Sequence, residues 1–281
     1  MKQRHIFLFL VLFFISHFSF AENSEYGSCS YACKRIPEAN QVLHFAGHST
    51  LTTLSSTRLN VLVWNIYKGR MQDFRHDFSL LAKSRDLILL SEATTGEPIT
   101  STLQQLPGAA WQLAAGFEMK DQIATGTALV SKVDAYNVHY YRTTDVEPLV
   151  KSPKAMIVAE YLIPGSSQSL LAVSIHGINW SGDEALVRQL NMILPELKSH
   201  QGPILFAGDF NIKNSNRLEI TKQILGQAGL TRVPWENPNS KKQLDDAFVR
   251  GLSVKRARLI NDYVGTASDH PAIDLQLEIK P

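Results

Sequence analysis

Polar side chains able to do chemistry stand at the ends of short apolar runs in five places: Asn65, Glu92, His176, Asp209 with Asn211, and Asp269 with His270. A side chain so placed is held by a rigid strand yet reaches solvent, as a preorganised site requires. Carboxylates and a carboxamide are hard oxygen donors, suited to Mg2+ or Mn2+ rather than to zinc. A carboxylate can also orient a water and accept its proton. Taken singly, each residue has a plainer account. Asn and Asp are common in turns, Glu92 reads as a solvated loop acid, and a lone His beside a core is more often hydrogen-bonded structure.

The elements that would hold these residues are short. Apolar, β-branched runs at 59–64, 87–90, 127–130, 155–162, 170–175, 204–207, 247–249 and 272–279 predict strands. Residues 74–82, 183–198 and 217–228 are helix-compatible. Strands mixed with helices, with no internal repeat and no low-complexity linker, predict one layered α/β (α+β) domain. The 281 residues are 44% hydrophobic and 19% charged, which excludes a disordered chain, a collagen-like repeat and a disulfide miniprotein and suffices for a large core.

Residues 1–5 are basic, 6–15 are almost wholly apolar, and Ser19 and Ala21 put small residues where a signal peptidase reads, so 1–21 is expected to be a cleaved secretory leader. Ser16, His17 and Ser19 interrupt the run short of the roughly 20 apolar residues a membrane span needs. No later segment is long and apolar enough to cross, so a soluble body, secreted or periplasmic, is expected. The formal charge is +2, but the leader carries Lys2 and Arg4 and no acid; 28 basic residues less these two leave 26 against 26 acidic ones. A neutral body argues against a protein that coats nucleic acid. Cys29 and Cys33 follow the leader and can pair in an oxidising compartment. With His44 and His48 they make four ligands on paper, but not at zinc spacing. The stretch 22–57 is polar and lacks a period; it reads as an extended lead-in to a domain at 58–281.

Taken together, Val63-Trp64-Asn65, Leu90-Ser91-Glu92-Ala93, Ser174-Ile175-His176, Gly208-Asp209-Phe210-Asn211, Leu244-Asp245 and Ser268-Asp269-His270 resemble, in type and order, the motifs of the endonuclease/exonuclease/phosphatase superfamily. That superfamily includes pancreatic-type deoxyribonucleases, abasic-site endonucleases, inositol polyphosphate 5-phosphatases and bacterial sphingomyelinases. The resemblance spans 58–279. It is stronger still to a bacterial group whose first motif also reads Leu-Val-Trp-Asn-Ile-Tyr-Lys, here 62–68, although the leader departs from that group. The resemblance implies a deoxyribonuclease-like, four-layered sandwich of two mixed β-sheets flanked by helices. It also implies a Mg2+-dependent phosphoesterase, with Mn2+ as a substitute, in which an activated water attacks phosphorus directly.

Carried over residue by residue, Glu92, Asn65 and Asp269 belong to the metal. Asp209 activates the water, and Asn211 holds that water or a phosphate oxygen. His176 and His270 contact the phosphate, and Asp245, by the register Leu-Asp-x-x-Phe, orients His270 where its neighbour Asp246 would not. Asn179 and Lys154 are candidate substrate contacts; a turn residue and a solvated strand-entry lysine are their plainer readings. Gly126 suits close backbone approach more than catalysis. Lys241, Lys242, Arg250, Lys255, Arg256 and Arg258 either guide a polyanion or keep a strand edge from aggregating. Trp111, Trp180 and Trp235 stack on a ligand or simply pack. The expected substrate is a phosphodiester, DNA first, cleaved by a monomeric endonuclease. A phospholipid or inositol phosphate is the alternative, and a non-catalytic binding module on the same fold the third reading.

Overall fold

The computed structural model describes residues 33–237 and 243–280. In chain order the elements begin with β1 (Leu43–Gly47), β2 (Leu59–Asn65), α1 (Phe74–Ala82), β3 (Leu87–Thr94), α2 (Ile99–Gln104), β4 (Ala110–Glu118) and β5 (Ala124–Ser131). They continue with β6 (Ala135–Arg142), β7 (Ala155–Leu162), β8 (Ser169–His176), α3 (Asp183–Ser199) and β9 (Ile204–Asp209). The last are α4 (Ser215–Gly226), β10 (Thr231–Arg232), β11 (Asp245–Arg250), β12 (Leu252–Ile260) and β13 (Ala272–Ile279).

Two sheets result. One is seven-stranded, in the order β1-β4-β5-β3-β2-β13-β12; the other is six-stranded, in the order β10-β11-β9-β8-β7-β6. Each is antiparallel apart from a single parallel pair, β2 with β3 and β8 with β9. These four strands are buried on both faces, which is why they read as continuous apolar runs rather than alternating ones. Val61, Val63, Leu87 and Leu89 of the first sheet face Ile157, Ala172, Leu205 and Ala247 of the second in the central core. α1 and α2 cover the outer face of the first sheet through Phe74, Phe78, Ile99 and Leu103. α3 and α4 cover the second through Leu186, Leu190, Ile193 and Leu225. The architecture is the four-layered sandwich that the motifs implied.

The strands that the apolar runs did not reveal are mainly edges. β1, β12, β10 and β6 are the four sheet margins. A margin needs no continuous apolar run, and charges on it discourage strand addition. β4 was missed because its Ala-rich face gains strand character only between β1 and β5. The described part of the lead-in is also not separate from the domain. β1 pairs with β4, Arg35 bridges Glu118 with its Nε 2.8 Å from Oε2, and Leu51 forms a bridge with Val133. The sheet therefore starts before residue 58. Cys33 is buried and disulfide-bonded. The leader (1–21), Cys29, Lys241 and Lys242 lie outside the described residues.

Candidate active site

Chain direction gathers the chemistry at one end of the sandwich. In a parallel pair both strands finish at the same end, and here Asn65 lies opposite Ser91 and His176 opposite Asp209. Their antiparallel neighbours begin there: Asp245 opens β11 directly across from Asp209, and His270 precedes β13. Close approach of β8 and β9 requires Gly208, with φ 143°, because a Cβ on it would stand 2.3 Å from the Ile175 carbonyl oxygen. The two sheets are stitched at this end, Ser91 Oγ donating to Ile175 O (2.8 Å) and Ser174 Oγ to Leu90 O (3.1 Å).

Asp209 is the centre of the constellation and is 2% exposed. Its Oδ2 accepts from Asn65 Nδ2 at 3.0 Å, across the sheets, and its Oδ1 accepts from the Asn211 backbone N–H at 2.8 Å. His176 Nε2 stands 3.5 Å from Asp209 Oδ2 and 3.1 Å from Lys154 Nζ. Burial, together with the Lys154 ammonium, pushes the His176 imidazole down to about 3, despite Asp209 and Glu92 nearby. It is therefore neutral at physiological pH. Asn211, at φ 53°, turns its Nδ2 onto Gly177 O at 2.7 Å.

His270 Nδ1 lies 2.5 Å from Asp245 Oδ2. Burial opposes its charge, but Asp245 first, with Asp209 and Asp269, raises the imidazole to about 10. His270 is thus an imidazolium, the opposite state from His176. The turn carrying it is fixed by Ser268 Oγ donating to Asn65 O (2.6 Å) and by Trp64 Nε1 donating to His270 O (3.0 Å). Asp246 points elsewhere, pairing with Arg232 Nε at 2.6 Å.

Glu92 occupies a bulge in β3 with φ 55°, an uncommon conformation for this residue type. Its carboxylate pairs with Lys68. Burial would raise it, yet Lys68 above all, with His176 and Lys154, brings it down to about 2. A cleft of about 690 Å3 is lined by Glu92, His176, Lys154 and Lys68, by Phe117, Met119, Ile123 and Val150, and by the exposed Lys34, Arg70 and Lys120. Lys154 also meets Glu147 Oε1 at 3.3 Å. His176, which lines the cleft with Glu92, stands 3.5 Å from Asp209, and Asp209 in turn groups with Asp245 and His270; Asp209 and His270 do not themselves line the cleft.

Two expected residues stand apart. Asp269 is exposed, with its Oδ1 3.5 Å from Ser268 Oγ, and does not line the cleft. Asn179 knits loops together: its carbonyl accepts from Lys213 (3.1 Å) and from the fully buried Arg217 (3.1 Å), and its Oδ1 from Lys213 (3.2 Å). Lys68, Glu147 and Ser91 were not read from the sequence as site residues. The signal for Lys68 was present in the 62–68 motif, three residues past Asn65. Gly126 is the close-approach glycine, since a Cβ there would sit 1.9 Å from Ala114 O.

The basic cluster is largely used internally. Arg250 donates to the carbonyls of Leu197 (2.8 Å) and Ala228 (2.9 Å), Arg256 and Arg258 pair with Asp274 (3.0 and 3.1 Å), and Lys255 pairs with Glu278 (2.5 Å). Trp111 is buried and Trp235 packs on the central core, whereas Trp180 is 65% exposed.

The oxygen donors suit a hard divalent cation. Glu92 keeps its charge throughout the neutral range, and Asn65 Oδ1, which among the described residues accepts the Tyr67 N–H (3.1 Å) alone, retains a lone pair. Asp209, Asp245 and His270 also bring ligand atoms within 4.8 Å of one another. However, an imidazolium already bound to Asp245 is a poor ligand, so Glu92 with Asn65 is the better seat.

The sequence matches the Endonuclease/Exonuclease/phosphatase family over residues 62–270. A UPF0294 protein of Vibrio parahaemolyticus is 31% identical over 242 residues, covering 84% of this chain and 82% of its own. The human nocturnin catalytic domain with bound sulfate superposes with a TM-score of 0.61 at 18% identity, over 85% of this chain and 98% of that one. A mannosyl-6-phosphatase of Bacteroides thetaiotaomicron gives a TM-score of 0.60 at 15% identity, over 78% and 99%. At such identities the structural likeness is one of fold. Members of the family are typically hydrolases of phosphoester bonds and generally depend on a divalent metal. The chain belongs to the endonuclease/exonuclease/phosphatase family and, within it, to the UPF0294 proteins.

Proposed function

We propose that this protein is an exported, Mg2+-dependent phosphodiesterase that hydrolyses its substrate by direct attack of water, with DNA the first substrate to test. The observation that carries the reading is the surroundings of Asp209: Asn65 and the Asn211 amide fix both its oxygens, and a neutral His176 and the Asp245–His270 pair flank it. A carboxylate held in this way can orient a water and accept its proton. His270, as an imidazolium, supplies positive charge to a phosphoryl oxygen as negative charge builds. Neutral His176, backed by Lys154, donates or accepts a hydrogen bond without adding charge. Glu92 and Asn65 would hold the cation, which when bound would polarise a phosphoryl oxygen and stabilise the leaving oxygen.

Support for a polyanionic substrate comes from Lys34, Lys68, Arg70, Lys120 and Lys154 along the cleft rather than from the strand-edge cluster. One feature favours a phospholipid as the second reading. Leu149 and Trp180, 78% and 65% exposed, sit on two loops tied together by Ser181 Oγ donating to Val146 O (2.8 Å), beside cleft residues Glu147 and Val150.

The deciding assay is purified mature protein with Mg2+ and plasmid DNA, beside an Asp209→Ala control. Nicking by the wild type alone, abolished by a chelator and falling steeply with salt, supports a nuclease. Equal nicking by both proteins exposes a contaminant. Turnover of phospholipid or inositol phosphate instead of DNA favours the second reading, and silence on every substrate favours a binding module.

A further inference from the structure

Lys68 lies on a short left-handed run just past the end of β2. Tyr67, Lys68 and Gly69 have φ of 46°, 57° and 63° in succession. The run is pinned on both sides: Ile66 N–H donates to Ser91 O (3.0 Å), Tyr67 N–H to Asn65 Oδ1 (3.1 Å), and Gly69 N–H to Ile66 O (2.8 Å). A Cβ at Gly69 would fall 2.9 Å from Pro98 Cγ, so the loop has little room to shift. Glu92, its partner, is itself turned to positive φ on the β3 bulge. Two uncommon backbone conformations thus bring one ammonium onto one carboxylate, with the pair 18% and 19% exposed. Only the flexible four-carbon stem of Lys68 is free to move.

An ammonium and a divalent cation cannot comfortably share a carboxylate, since like charges a few ångströms apart repel strongly in a partly buried site. Asn65, whose carboxamide anchors the Lys68 loop through Tyr67, is the other donor beside Glu92. Lys68 also lines the cleft with Lys154 and Arg70, so an ammonium leaving Glu92 stays beside the substrate path. We propose that Lys68 is an exchange cation: it holds Glu92 in place until a divalent ion enters, and the displaced ammonium then swings into the cleft to meet the substrate phosphate. The inference rests on the phosphoesterase reading and on Glu92 as a metal ligand. It predicts that metal and phosphate bind cooperatively through one side chain.

The test is Mn2+ binding to the full mature chain, followed by the spin-resonance signal of the free ion, with and without inorganic phosphate. Lys68→Met should bind Mn2+ more tightly than wild type, by about 5- to 150-fold, the usual span of coupled sites. Lys68→Arg, whose fork grips a carboxylate more firmly, should bind it more weakly. Phosphate should tighten Mn2+ binding in wild type and lose that effect in Lys68→Met. Should Lys68→Met fail to fold, the weakened affinity of Lys68→Arg still tests the exchange. Unchanged or reversed affinities, or equal phosphate coupling in wild type and Lys68→Met, overturn it. Glu92→Gln separates the two layers. If it abolishes Mn2+ binding while the Lys68 variants change nothing, only the exchange is wrong; if it leaves Mn2+ binding intact, Glu92 is not a ligand and the exchange fails with it.

Discussion

Asp209 and Asp245 face each other as direct partners across the β9–β11 ladder, and Asp245 holds the charged histidine, His270 Nδ1 at 2.5 Å, whereas Asp209 has only the neutral His176 at 3.5 Å. Two buried carboxylates so close would repel each other. The imidazolium offsets that repulsion, leaving Asp209 available to act as a base. Asp245→Asn removes the charge that holds His270 protonated, so the His270 pKa should fall toward its ordinary range. Turnover should drop by about 10²–10⁴-fold, the usual span for one positioned acid–base group. The alkaline limb of the rate profile should also move to lower pH. Full activity with an unshifted profile would remove Asp245 from the mechanism.

The same histidine should be visible in stability. His270 has a folded pKa of about 10 against an ordinary 6.5, so its contribution is fully present below pH 6.5 and is lost as pH rises through 10. On the acid side, His176, pushed down to about 3, and Glu92, held at about 2, favour the folded state less as pH falls below 6.5 and 4.5 respectively. Asp246, raised by burial to about 6, works the other way between 3.8 and 6. The clean comparison is therefore alkaline. Urea midpoints at pH 6.5 and pH 9 (chosen within about the 6.5–10 window) should fall for wild type and fall less for His270→Gln. Equal falls would show that the imidazole does not carry the effect.

Arg217 is wholly buried on α4 and feeds its guanidinium to the carbonyls of Ile178 (2.5 Å) and Asn179 (3.1 Å), just past His176. Arg217→Met leaves the Ile178 carbonyl without its guanidinium donor and the Asn179 carbonyl with Lys213 alone, and should cost about 2–5 kcal/mol in chemical denaturation. Loosening the loop after β8 should also raise KM. A variant as stable as wild type would mean that water or a neighbour replaces the arginine.

Gly208 should tolerate no side chain. In Gly208→Ala the new methyl meets the Ile175 carbonyl, so β8 and β9 must separate at the end where His176 and Asp209 pair. A loss of about 1–3 kcal/mol, with a larger proportional loss of activity, is expected. Retained activity would show that the strands can part there without disturbing the site.

Much of the constellation was legible because burial dictates composition. The parallel strands must be apolar on both faces, so Asn65, Glu92, His176 and Asp209 stood out as polar breaks in otherwise continuous runs. The sheet margins were not legible, since β6 and β12 carry polar and charged residues like any surface segment. Asp245 could be separated from Asp246 by motif register, but the sequence could not show that their side chains serve different partners, His270 and Arg232.

By itself, the order of residues determined which groups are available and that they lie at strand ends, because local periodicity and polarity are properties of neighbours along the chain. Tertiary structure decided the charge states and the pairings. His176 is neutral and His270 charged only because burial and Lys154 act on one while Asp245 acts on the other. Lys68 meets Glu92 only because β2 and β3 run in parallel and end together. Such relationships depend on distances between segments far apart in sequence, and on the removal of water between them, and neither is written in any local run of residues.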